Sequence, residues 1–139
     1  MAQPTKQKSK DIFKLDESFS TFSIDDVAAA KDFYGSTLGI EVTDEKEGGL
    51  GLRLGKRNVY LYPKEDHQPA SFTVLNFPVT DIDAAVAELR SRGIELESYG
   101  GDIATDDKGI FRGGEKGMGP NIAWFKDPSG NILSLIEQK

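Results

Sequence analysis

The chain contains no cysteine and one histidine in 139 residues. Without thiols there is no disulfide and no thiolate chemistry. There is no apolar run long enough to span a bilayer. The start, Met-Ala-Gln-Pro-Thr-Lys-Gln-Lys-Ser-Lys, is basic but no apolar stretch follows, so it reads as a tail rather than a secretory signal. A surplus of positive charge is missing too. Lys and Arg total 17 against 23 Asp and Glu, a net charge of −6, which argues against nucleic acid as a partner. These absences fit a cytoplasmic chain with neither membrane nor nucleic-acid contacts. With 37% hydrophobic and 29% charged residues, the composition is that of an ordinary soluble domain.

What the chain does have is a repeat. Phe22-Ser-Ile-Asp-Asp-Val-Ala-Ala-Ala is echoed by Phe77-Pro-Val-Thr-Asp-Ile-Asp-Ala-Ala, and the Gly-Ile-Glu at Gly39 returns at Gly93. A spacing of about 55 residues implies two copies of one supersecondary unit. In the first copy, Ser18–Ile24 alternates as a strand. Asp25 or Asp26 then caps a helix with Val27, Ala30, Tyr34 and Leu38 on one face, and Gly39 ends it. Short strands follow at Glu41–Asp44, Leu50–Leu54 and Val59–Tyr62, with glycine-rich turns between them.

Residues 64–70 read as a linker. The second copy opens with a strand at Thr73–Val79, and Asp81 caps a helix bearing Ile82, Ala85, Val86 and Leu89. A strand at Ile94–Tyr99 is expected next, then an irregular stretch, Gly100–Gly119. Strands at Asn121–Lys126 and Ile132–Glu137 flank the turn Asp127-Pro-Ser-Gly130. A structureless loop this long is uncommon in a compact domain. It is either a functional lid or hides a strand, Ile110-Phe111-Arg112 being the best candidate. The glycines after Gly113 do not form a phosphate loop, because a strand follows where a helix is needed. The expected organisation is a tail, 1–17, and one domain, 18–138, made of module one (18–63), the linker and module two (71–138).

The segments Ile24-Asp-Asp-Val-Ala-Ala-Ala-Lys-Asp-Phe-Tyr34, Val79-Thr-Asp-Ile-Asp-Ala-Ala-Val86 and Trp124-Phe-Lys-Asp-Pro-Ser-Gly-Asn-Ile-Leu133 carry a resemblance. Together with the duplication, the chain resembles the vicinal oxygen chelate superfamily of glyoxalases, bleomycin-resistance proteins and extradiol dioxygenases. The resemblance implies an α+β fold of two tandem βαβββ modules, curled into a cup-shaped mixed sheet with helices on the outer face. It also implies pairing into a homodimer and a small-molecule ligand in the cup. Metal-using members place a His on the first strand of each module, a Glu on the last strand and another carboxylate in module one. Those positions fall here on Phe19, Val74, Ser134 and Tyr60, none of which is a competent ligand for a divalent ion. The resemblance therefore implies no metal and no cofactor.

Strand alternation puts Phe22 and Ile24 under the first helix and turns Phe19, Thr21 and Ser23 toward the cup. The candidate ligand-binding residues are Phe19, Thr21, Tyr60, Tyr62, Val74, Asn76, Arg112, Trp124 and Ser134. They mix aromatic surface with hydrogen-bonding groups, as small-molecule pockets do. The same side chains could instead fill a closed core. Arg112 is a candidate anion clamp or a solvated loop charge, and Trp124 a rim or a core residue. Asp25, Asp26 and Asp81 read as helix caps rather than acid–base pairs. No Ser-His-Asp set is expected, since His67 has no predicted oriented neighbour.

The leading expectation is a metal-independent binder of a small, aromatic or cationic ligand. The alternative is a glyoxalase-like lyase or isomerase, or a dioxygenase-related enzyme, with Tyr60 or Tyr62 as general acid. A third reading is a scaffold with a filled cup.

Overall fold

The computed structural model describes residues 12–139. Residues 1–11 of the expected tail lie outside the described residues. Module one consists of β1 (Ser20–Ile24), α1 (Val27–Lys31), β2 (Glu41–Asp44), β3 (Leu50–Leu54) and β4 (Arg57–Pro63). Helix α1 runs on as a wider π-turn, Asp32–Thr37, which departs from the single helix expected up to Gly39. Asp26 caps α1 by accepting a hydrogen bond from the Ala29 amide at 3.0 Å, and Gly39 leaves the helix at φ +79.

Module two consists of β5 (Thr73–Val79), α2 (Ile82–Ser91), β6 (Ile110–Arg112), a one-turn α3 (Gly113–Lys116), β7 (Asn121–Lys126) and β8 (Ile132–Glu137). Asp81 caps α2 through the Ala84 amide.

Each module is βαβββ, and each makes its own four-stranded sheet, in the orders β1-β4-β3-β2 and β5-β8-β7-β6. The first and last strands of each module run parallel and the remaining pairs are antiparallel. The sheets do not close into one. Pro78, which has no N–H to donate, sits on β5, a strand laddered on one side only. The modules are instead welded by side chains. A continuous apolar core runs from Ile24, Tyr34, Leu52 and Leu61 to Val86, Leu89, Phe125 and Leu133. Phe33 meets Phe125 across the seam at 6.5 Å.

The expected strand at Ile94–Tyr99 is not formed. The hidden element at Ile110–Arg112 is the strand that follows α2, pairing Ile110 with Ala123 and Phe111 with Ile122. Both segments alternate and would suit a strand. Ile110 and Phe111 take the edge of β7 because their side chains become almost wholly buried there. Of the other segment, Ile94 is buried, and the Glu97 amide bonds to the Trp124 carbonyl at 2.7 Å.

Candidate functional site

The face of the first sheet opposite α1 carries an open groove of about 470 Å³. Alternation builds it. Leu50, Leu52, Val59 and Leu61 are buried on the helix side, so Gly51, Arg53, Asn58 and Tyr60 point the other way. Phe19, 63% exposed, stands at one end. Tyr60 stacks on Tyr62 with centroids 6.4 Å apart, and Thr21 Oγ1 donates to the Tyr60 carbonyl at 2.7 Å.

Gly51 shapes the floor. A Cβ there would stand 2.6 Å from Thr43 Oγ1 and 3.0 Å from Glu45 Oε2. The bare strand lets the Glu45 carboxylate fold over it, held by Thr43 Oγ1 donating at 2.7 Å. Arg53 is turned to Glu41 on the neighbouring strand at 3.4 Å, whereas Glu45 and Glu47 form no ion pair among the described residues. The groove thus joins aromatic surface to two carboxylates. Sequence reasoning missed Glu45, Glu47 and Gly51. The β3–β4 register that sets Gly51 opposite Tyr60 was the needed signal.

The equivalent face of module two is more closely packed, with Phe111 and Ser134 buried, Trp124 half-buried and Asn76 exposed. Ser134 is fully buried and its hydroxyl donates to Asn76 Oδ1. Trp124 donates its indole N–H to Thr73 Oγ1 at 3.1 Å, meets Tyr99 edge-on at 5.3 Å and lies 6.3 Å from Phe111. Val74 packs against the core. Asn76 meets Phe19 at a second cleft, along the seam between the modules.

Arg112 is apart from all of these. It points to the helix side, where it donates to both oxygens of Asp83 on α2 at 2.8 and 3.0 Å and to Asp106 at 3.0 Å. Its hydrogen bonds to Asp83 hold that carboxyl down at about 2. The glycine-rich segment lies between strands, β6 before it and β7 after it, and its first residues form the single turn α3, so the helix that a phosphate loop needs does not follow it.

His67, expected to lack an oriented neighbour, has two. Its Nε2 faces the Ser129 carbonyl at 2.9 Å, so Nε2 carries the proton and Nδ1 accepts from Ser23 Oγ at 2.6 Å. It belongs to a clasp. Ser129 Oγ donates to Asp25 and receives the Asp25 amide, while Asn131 Nδ2 donates to the Ser23 carbonyl. The buried Asp127 carboxylate accepts from Tyr34 Oη, the Ser129 and Asn131 amides and Asn131 Nδ2. This turn of module two is thereby locked onto β1 and α1 of module one. Burial, with the Asp127 charge beside it, drives the Tyr34 phenol far above its ordinary range.

The positions where a divalent ion would be held present a phenyl ring (Phe19), a phenol (Tyr60), an isopropyl group (Val74) and a bonded hydroxyl (Ser134). None offers imidazole nitrogen or carboxylate oxygen, so this donor set does not fit such an ion. Among the described residues no three His, Cys, Asp or Glu side chains come together as a metal site.

Two βαβββ modules with a groove on the sheet face define the class. Residues 20–135 match the Glyoxalase/Bleomycin resistance protein/Dioxygenase superfamily, and the chain belongs to it. It is 31% identical over 128 residues to the uncharacterized protein YaeR of Escherichia coli (strain K12), covering 81% of this chain and 88% of that one. Among solved structures it is similar to the glyoxalase family protein from Enterococcus faecalis (26% identity, TM-score 0.62, 86% of this chain and 94% of that one). It also shares its fold with TnmS3, an antibiotic binding protein from Streptomyces sp. CB03234 (24% identity, TM-score 0.60, 88% and 96% covered).

Proposed function

We propose that this protein binds a small organic molecule in the cup, without a divalent metal, as a homodimer in the cytoplasm. The ligand is a flat aromatic molecule carrying positive charge, held against Phe19 and Tyr60 and neutralised by Glu45 and Glu47. The observation that carries this reading is the open groove on module one, which combines aromatic surface with unpaired carboxylates. The residue types at the four metal positions support metal independence, and the fold shared with an antibiotic binding protein agrees with a binding role. Thr21, Tyr62 and Asn76 extend the contact surface. No described helix is long and apolar enough to cross a membrane.

The test is a fluorescence titration with 9-aminoacridine as the aromatic cation and anthracene-2-carboxylate as its anionic counterpart, before and after chelator treatment. We expect saturable binding of the cation, insensitive to the chelator. Tyr60→Ala should weaken it by about tenfold, the worth of one good aromatic contact. Failure of both probes to bind, or binding that appears only with a stoichiometric divalent ion, refutes the reading.

A further inference from the structure

The open groove of module one has a neighbour. A cleft of about 500 Å³ runs along the seam, bordered by β1 and β5, the edge strands of the two sheets. The sheets do not join there, and Pro78 on β5 has no N–H with which to help ladder it onto β1. Phe19, Asn58 and Val59 line both cavities, so the two lie side by side with Phe19 on the divide.

Their charges are opposite. The groove holds Glu45 and Glu47, and its Arg53 is turned to Glu41. Among the described residues the cleft is lined by no Asp or Glu. Its cation is Arg57, an exposed side chain that forms no ion pair and no side-chain hydrogen bond among the described residues. The two-residue turn Gly55-Lys56, with Gly55 at φ +65, pairs Leu54 with Arg57 and sets both at the cleft. Asn76 supplies a second donor. Its Oδ1 accepts from the fully buried Ser134 hydroxyl, which orients the amide and leaves the Nδ2 hydrogens without a partner among the described residues. Leu54, Leu75 and Pro78 make the remaining wall largely apolar. An apolar passage that offers a guanidinium and an amide N–H suits a carboxylate on an aliphatic arm, because a guanidinium forks onto both carboxylate oxygens.

We infer that the ligand of the groove is amphoteric. Its cationic aromatic head lies against Phe19 and Tyr60, and an aliphatic arm passes Phe19 into the seam cleft and ends in a carboxylate held by Arg57 and Asn76 Nδ2. The inference rests on the proposed function for the head and adds the arm. Each module then gives the carboxylate one donor, β4 supplying Arg57 and β5 supplying Asn76.

The test uses (acridin-9-ylamino)alkanoic acids, propanoic to heptanoic, their methyl esters, and 9-aminoacridine itself, each titrated by fluorescence into the full chain. Head and arm are then read separately. At the best chain length the acid should bind about fivefold tighter than its ester, the worth of a partly exposed guanidinium–carboxylate pair. The advantage should shrink in high salt. Arg57→Gln should bring the acids to the level of the esters while 9-aminoacridine binds as before. Arg57→Glu should make the acids weaker than the esters. Both variants should keep the wild-type circular dichroism, since Arg57 is exposed. Binding of 9-aminoacridine and the esters with no preference for any acid, or a preference that survives Arg57→Gln, overturns the arm and leaves the head in place. Failure of 9-aminoacridine, esters and acids alike overturns both.

Discussion

Replacing Tyr34 by Phe removes one oxygen from the inside of the clasp. Tyr34 is fully buried and donates to Asp127 Oδ2 at 2.7 Å. The carboxylate keeps three other donors, the Ser129 and Asn131 amides at 2.9 Å and Asn131 Nδ2 at 3.0 Å. The loss is that of one hydrogen bond to a charged group, about 2 kcal/mol, and not the larger cost of a stranded buried charge. Asp127→Ala, which strips the acceptor from all four donors, should cost about 4 kcal/mol.

Urea unfolding followed by Trp124 fluorescence is a suitable assay. The reporter is the sole tryptophan and sits in module two, whereas Tyr34 is in module one. If the modules unfold as one body through their shared core, the Trp124 transition registers the change.

The pH dependence has a defined sign. The folded state raises the Tyr34 phenol well above its ordinary value, so the unfolded chain loses this proton first. The stabilisation is complete below pH 10 and declines by about 1.4 kcal/mol per unit as the pH rises further. Tyr34→Phe lacks that decline, so the two stability curves should cross at roughly pH 11.5. A Tyr34→Phe protein within about 0.5 kcal/mol of wild type at pH 8, or parallel curves from pH 9 to 12, would refute the argument.

Two further expectations concern the local geometry. Carbon-detected NMR titration should find the Asp83 carboxyl ionising at about 2, and Arg112→Ala should return it toward the ordinary carboxylate value. The stabilisation tied to this group is present above the unfolded value and is lost as the pH falls through the folded one. A normal Asp83 titration in the wild type would remove the ion pair from the description. Gly49→Ala should destabilise by about 2 kcal/mol or more, because its Cβ would collide with the Leu61 carbonyl and the Tyr60 ring. Gly48→Ala meets only the strain of its positive φ, about 1 kcal/mol. Thermal melts in which Gly48→Ala is the worse variant would contradict the close approach.

The modules were legible because their signals are local. The caps at Asp26 and Asp81 need only a side chain three residues before an amide, and both are observed. Val27, Ala30, Tyr34 and Leu38 do lie toward the core or against it. The strand after α2 was the failure. Two segments of similar alternation competed for one edge of β7, and nothing local distinguishes them. The candidate site divided similarly. Phe19 and Tyr60 line one groove and Asn76 meets Phe19 at the seam, whereas Ser134 and Trp124 are packed and Arg112 points to the helix side.

The amino-acid order alone determined the duplication, the helix caps, the turn after Asp127 and the residue types at the metal positions. Each depends on neighbours in the chain or on identity, and neither changes on folding. Only the tertiary structure decided that one sheet face carries an open groove and the other is more closely packed, that His67 and Asp127 clasp the two modules, and that Glu45 lies over Gly51. Those outcomes depend on which distant segments win the same surface. That competition is settled by packing and hydrogen-bond satisfaction across the whole molecule, which no window of sequence contains.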